Sequence, residues 1–180
     1  KKRFLNGWEY LPQVLNQLPK GILLNTQADG LSDTLPIGWA EFGIDWGIPV
    51  VTVFIRESRY TKELLEKNLQ FSLSCPLEGM NAKEILGFCG TKSGRDVDKF
   101  EALNLIKVEG ETVQVPAVAQ LPLTIEAQVI YKQDQDPQAI ESEILDRYYP
   151  KGDFHTAYTA KITAAYILEE YLIRPDHQHP

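Results

Sequence analysis

From Gly21 to Leu168 the chain is cut into short apolar or alternating stretches bounded by Gly, Pro, Asn or Asp, and this punctuation constrains the fold more than any other feature. Strand patterning is predicted at residues 21–26, near 37–42, at 48–55, 70–75, 105–108, 112–115, 121–131 and 156–168. In the longest run, Leu123, Ile125, Ala127, Val129 and Tyr131 alternate with Thr124, Glu126, Gln128 and Ile130, the pattern of a half-buried strand. Helical patterning is predicted at 60–68, 82–88, 97–103 and 138–148, the last with Ile140, Ile144, Leu145 and Tyr148 on its inner face. Many short strands with helices scattered between them point to a mainly β fold with peripheral helices, a closed or partly closed barrel rather than a doubly wound sheet.

A chain of 180 residues is one domain by length and large enough to bury a core. We expect a docked N-terminal segment over 1–19, a domain over 20–173 and a frayed tail over 174–180. The net charge of −7 argues against nucleic acid, whose phosphates demand clustered Lys and Arg. No apolar run approaches the ~20 residues needed to span a bilayer. Lys1, Lys2 and Arg3 are not followed by the apolar segment of a secretory signal, so no membrane association and a cytoplasmic location are expected. Cys75 and Cys89 with three His do not form a metal site of familiar spacing, so no metal is expected. Cys75 reads as a packed core thiol and Cys89, at the end of an apolar helical stretch, is open between burial and function.

Two stretches carry chemistry. Arg56-Glu57-Ser58-Arg59-Tyr60-Thr61 follows the apolar strand at 48–55 and precedes the helical Glu63-Leu64-Leu65 pattern, so a strand delivers Arg56 to a helix N-terminus. There the unpaired N–H groups and positive dipole end favour an anion, and Ser58 or Thr61 hydroxyls with an Arg fork complete a phosphate cradle. The same residues also fit a plainer role, with Ser58 or Thr61 as N-cap and Arg56 or Arg59 solvated or ion-paired. In Cys89-Gly90-Thr91-Lys92-Ser93-Gly94-Arg95-Asp96-Val97-Asp98-Lys99-Phe100, Ser93-Gly94 permits a tight turn, Arg95 can reach an anion, and Asp96 or Asp98 can cap a helix. An Asp-capped helix with Arg95 paired to Asp98 is the alternative.

These phrases, together with Ile37-Gly38-Trp39, Trp46-Gly47-Ile48-Pro49 and Asp153-Phe154-His155, resemble the flavin reductase-like family, in particular its flavoredoxin-type branch, over residues 20 to about 167. The resemblance implies an FMN-binding split β-barrel that passes electrons from a reduced nicotinamide or a redox partner protein through FMN, and a homodimer. It places the phosphate against Arg56, Ser58, Arg59 and Thr61, with Ser93, Arg95 and Lys99 nearby, and the ring against Ile37, Gly38 and Trp39. His155 is the one catalytic candidate, near the flavin or its nicotinamide partner, and a structural His bonded to Asp153 or a carbonyl fits it as well. Trp39 and Trp46 fit either a ring wall or the barrel core.

The chain departs from the family at Asp33-Thr34-Leu35-Pro36, where Asn-x-Met-Thr is expected, and at Ala160-Lys161-Ile162, where Gly-Glu-Ile is expected. Pro36 removes a hydroxyl and a backbone donor beside the expected ring. A flavin-free barrel that serves as a binding module without redox activity is the alternative these departures raise. No Gly-x-Gly-x-x-Gly occurs, so a nicotinamide is expected to bind only transiently, on top of the flavin.

Overall fold

The computed structural model describes residues 1–172, and the predicted frayed tail at 174–180 lies outside the described residues. The chain forms β1 (Lys2–Phe4), α1 (Leu11–Gln17), β2 (Ile22–Ala28), β3 (Leu31–Ile37), β4 (Ala40–Asp45), β5 (Ile48–Arg56), α2 (Tyr60–Lys67) and β6 (Gln70–Cys75). There follow α3 (Lys83–Thr91), α4 (Lys99–Ala102), β7 (Lys107–Val108), β8 (Ala117–Val118), β9 (Leu123–Asp134), α5 (Ser142–Tyr148) and β10 (His155–Leu168). The main sheet is antiparallel, in the order β3-β2-β6-β9-β10-β5-β4, with β1 added to the far end of β10. It is a split barrel with helices outside, the predicted fold class.

Chain geometry requires the curl. Laid flat, this order puts β3 and β4 six strand spacings apart, roughly 29 Å at about 4.8 Å each. Yet only Gly38 and Trp39 separate Ile37 from Ala40, a link that reaches about 11 Å fully extended. The sheet therefore closes on itself, and because β3 and β4 pair with β2 and β5 alone, the closure stays split at this link. Register breaks in β10 at Thr159/Ala160 and Ile162/Ala164 bend the central strand, as bulges do. Inside lie Ile22, Leu24, Val51, Val53, Phe71, Leu73, Ile125 and Tyr158, each at most 1 % exposed.

Several sequence expectations are corrected. The second strand is not at 37–42: Asp29 and Gly30, both at positive φ, form a tight turn that starts β3 at Leu31, and β4 begins only after Gly38-Trp39. Pro36 sits inside β3 without breaking it, because β3 is an edge strand whose missing donor interrupts no ladder. Trp46 is not core. It stands 61 % exposed at the β4–β5 hairpin tip, where Trp46 and Gly47 take positive φ and the Asp45 carboxylate accepts the Trp46 N–H at 2.9 Å.

Residues 112–115 form no strand, and the small ladder pairs β7 with β8. Buried Glu126 takes over that segment, accepting from the backbone N–H groups of Glu111 and Thr112 at 2.8 and 2.7 Å and from the Thr112 hydroxyl. β9 is therefore buried on both faces through Ala127 and exposed from Ile130 onward, not half-buried throughout. The helix predicted at 138–148 is a short 3-10 turn at Pro137–Ala139 followed by α5, because the Asp136 side chain caps Gln138 and Ile140 is extended; Ile144 and Tyr148 face outward.

Candidate functional site

The split between β3 and β4 opens a cleft of about 190 Å3, walled by Leu35 to Trp39, Phe54, Ile55, Arg56, Arg59 and His155. A second cleft, of about 210 Å3, adjoins it across the shared residues Leu35 and Arg59. Its walls are Asp33, Ser58 to Thr61, Gly90 to Arg95 and Lys99. All the sequence-predicted site residues, Ile37, Gly38, Trp39, Arg56, Ser58, Arg59, Thr61, Ser93, Arg95, Lys99 and His155, line one cleft or the other. Strand β5 delivers Arg56, and the first turn of α2 presents the Tyr60 and Thr61 N–H groups, which have no intrahelical acceptor.

Most of the predicted anion-binding side chains also hold the protein together. Asp153, at positive φ, accepts from Ser58 N–H at 2.9 Å and from Ser58 Oγ at 2.6 Å. Arg56 donates to the backbone oxygens of Asp153 and Tyr148 at 2.9 and 3.1 Å. Burial pushes the Asp153 carboxyl up, but the two bonds from Ser58 and the nearby Arg56 and Arg59 outweigh it and hold the group below its ordinary range. Arg95 pairs with Glu63 rather than Asp98, whose carboxylate instead caps α4 by accepting the Glu101 N–H. Thr61 Oγ1 donates to Asp33 Oδ2 at 2.9 Å, and Lys99 Nζ lies 3.3 Å from Asp33 Oδ1 while donating to the Thr34 carbonyl at 2.7 Å.

Arg59 differs from this set. Its side chain makes no hydrogen bond or ion pair among the described residues, it is exposed, and it stands between the two clefts. Close packing shapes the rest of the polar cleft: a Cβ at Gly94 would lie 2.6 Å from the Asp33 carboxylate and from the Tyr60 ring, and one at Gly90 would lie 3.1 Å from Pro36. Only glycine lets this segment approach so near.

The aromatic end is built around His155, paired with Arg56 across β10 and β5. The Trp39 ring lies 4.9 Å from the imidazole at a 40° tilt, and Tyr148 meets Trp39 edge-on at 5.3 Å. Tyr149 Oη is 2.7 Å from His155 Nδ1. Burial, then the Arg56 and Arg59 charges, pull the imidazole down to about 4 against the opposing pull of Asp153, so His155 is neutral at physiological pH. His155 is therefore bonded to neither the Asp153 carboxylate nor a carbonyl through its ring, as the structural alternative had it; its partner is a tyrosine hydroxyl.

Asp33, Phe54 and Tyr149 were not found by sequence reading. Asp33 had entered only as part of the departure from the family pattern, because no strand was predicted over residues 31–36. Both cysteines are buried, and burial pushes the Cys75 and Cys89 thiols up to about 12 and about 11, so Cys89 is a core thiol and not a nucleophile. Of the two departures, Pro36 walls the cleft that also holds Trp39 and His155, whereas Lys161 is exposed on β10 in register with Val50, well along the strand from His155.

An elongated recess, apolar and aromatic at one end and rich in N–H donors at the other with a free guanidinium between, suits a flat ring carrying an anionic tail. The architecture is that of a split-barrel protein. The model of the flavin reductase like domain matches residues 15–173, and the chain belongs to that family. The flavoredoxin of Methanosarcina acetivorans is 25 % identical, with a TM-score of 0.65 over 87 % of this chain and 73 % of that one. An FMN-binding protein from Thermus thermophilus, solved with p-hydroxybenzaldehyde, is 23 % identical, with a TM-score of 0.63 over 86 % of this chain and 75 % of that one. The uncharacterized protein YddH of Escherichia coli (strain K12) is 32 % identical over 81 residues, 42 % of this chain and 42 % of YddH. The chain thus spans well under two thirds of that curated relative. Among the described residues no helix is long and apolar enough to cross a membrane.

Proposed function

We propose that this chain binds FMN across the paired clefts and relays electrons through it, taking them from a reduced nicotinamide or a redox partner protein. The observation that carries the reading is Arg59, whose guanidinium has no hydrogen-bond or ion-pair partner among the described residues and stands at the junction of an aromatic cleft and a cleft ringed with N–H donors. Bound FMN would supply reversible two- and one-electron chemistry, so no nucleophile or metal is asked of the protein.

Ile37, Gly38, Trp39 and His155 would border the ring, and Arg59, the Tyr60 and Thr61 N–H groups and Ser93 would meet the phosphate. Arg56, Ser58, Thr61, Arg95 and Lys99 act mainly behind these groups, through the bonds to Asp153, Tyr148, Glu63 and Asp33 that fix the cleft walls. Such a wall, set before the ligand arrives, reduces the ordering cost of binding.

A homodimer fits the exposed aromatic pair of Trp46 on the β4–β5 hairpin and Tyr131 on β9, whose rings lie 6.0 Å apart, with Ile44 and Ile130 exposed close to them in sequence. Light scattering on the purified chain tests it, with Trp46→Glu expected to give monomer.

The direct test of function is the visible spectrum of the purified chain supplied with FMN, before and after reduced nicotinamide. A bound-flavin spectrum that bleaches supports the reductase, and one that bleaches only with a chemical reductant supports the carrier. Absence of any flavin spectrum favours the flavin-free module.

A further inference from the structure

We propose that Tyr149 is a positioning residue that holds His155 in its Nε2–H tautomer, so that a neutral N–H donor faces the ring cleft. Only the identity of the group that meets this donor, an electron-rich oxygen or nitrogen of the flavin ring, rests on the function proposed above.

Tyr149 Oη and His155 Nδ1 are 2.7 Å apart, and both residues are buried, at 8 % and 7 % exposure. A phenol is the stronger acid of the two neutral partners and an imidazole nitrogen the stronger base, so the hydroxyl donates and Nδ1 accepts. A neutral imidazole with an accepting Nδ1 carries its proton on Nε2.

Nε2 has no hydrogen-bond partner among the described residues. Nor is it sealed in: the enclosed unpartnered side-chain atoms are Asn25 Oδ1, Thr26 Oγ1, Thr34 Oγ1 and Tyr166 Oη. His155 lines the aromatic cleft, and with Nδ1 engaged by Tyr149, Nε2 is the ring nitrogen left to meet a ligand there.

Tyr149 is itself held firmly. Its ring stacks on Phe154 at 5.0 Å and 29°, and the Arg56 guanidinium lies 5.1 Å from its centroid, anchored to the Asp153 and Tyr148 carbonyls. The His155 backbone is fixed as well, its N–H donating to Gln135 Oε1 at 3.0 Å and its oxygen accepting from Gln135 N–H at 3.1 Å. The charged groups around the imidazole are Arg56 on β5, Arg59 before α2 and Asp153 before β10; the two cations oppose a third positive charge and keep the ring neutral. A donor that does not titrate in the working range, aimed by a second residue, favours an electron-rich ring over an electron-poor one.

The experiment is histidine 15N NMR on the ligand-free chain, with Tyr149→Phe as the variant, which keeps the stacking ring and removes only the hydroxyl. The unaltered protein should show pyrrole-type Nε2 and pyridine-type Nδ1, and the variant a mixture or the reverse. With FMN added, the preference for reduced over oxidised flavin, read from the midpoint potential, should fall roughly tenfold in Tyr149→Phe, the worth of about one hydrogen bond. In a His155→Gln background, whose amide can replace the Nε2 donor, the same change should cost less than about twofold. An Nδ1–H tautomer in the unaltered protein, or a variant with the same tautomer and potential, overturns the proposal. Because the tautomer is read without ligand, a chain that shows it but takes up no FMN refutes the flavin reading and not the Tyr149 assignment.

Discussion

Lys99 and Asp33 face each other 3.3 Å apart at 2 % exposure each, a buried ion pair lying directly behind the polar cleft. The Thr34 carbonyl and Thr61 hydroxyl supply the remaining hydrogen bonds, so β3, α2 and α4 are tied at one point. Breaking such a pair leaves a buried charge uncompensated, which costs more than the pair itself contributes. Lys99→Met is expected to lower stability by about 3 kcal/mol, measured by urea unfolding, and Asp33→Leu added to it should recover a large part.

Arg59→Ala should weaken FMN binding by about 1.5–3 kcal/mol, the range for a hydrogen bond to a charged group, while leaving riboflavin, which lacks the phosphate, little affected. The melting temperature should move little, since Arg59 has no hydrogen-bond or ion-pair partner among the described residues and acts on Asp153 and His155 only through space. Parallel titrations with the two flavins and a thermal scan check all three statements.

The neutral His155 gives stability a defined pH dependence. Its folded value, about 4, lies below the ordinary 6.5. Between these values the unfolded chain holds a proton that the folded one does not, so stability is full above about pH 6.5, falls as pH drops to about 4, and levels off below. The loss from this group is at most roughly 3 kcal/mol. Urea midpoints across that range should show a slope that His155→Gln reduces, the remainder coming from carboxylates such as Asp153 and Glu66 that are held below their ordinary range.

Both thiols should be inert in the native state. With Cys75 and Cys89 pushed up by burial to about 12 and 11, a thiol reagent at pH 7.5 should label neither until denaturant is added. Rapid labelling of Cys89 in the native chain contradicts the packing around Asp33, Lys99 and the ends of α3.

What was legible in the sequence was local. The run into Arg56 and the Leu64-Leu65 pair behind it announced β5 and α2, because apolar spacing there reflects burial directly. Gly94 announced a turn, though not that Asp33 and Tyr60 would press against it, whereas Gly90 lies within α3 against Pro36. Hidden were the pairings that decide what each polar side chain does: Ser58 with Asp153, Arg95 with Glu63 and Lys99 with Asp33 are 95, 32 and 66 residues apart, and no periodicity connects them. The division of β3 from β4 was hidden for a related reason. Ile37 to Phe42 reads as one apolar stretch, and only closure of the barrel makes Gly38-Trp39 a bridge between opposite edges.

The central claim is that the paired clefts form one site for a flat ring with a phosphorylated tail. Calorimetric titration of the purified, flavin-stripped chain with FMN measures this most directly. Saturable binding at one FMN per chain, weakened selectively by Arg59→Ala, is the predicted result; a flat titration by folded protein at high micromolar FMN contradicts it.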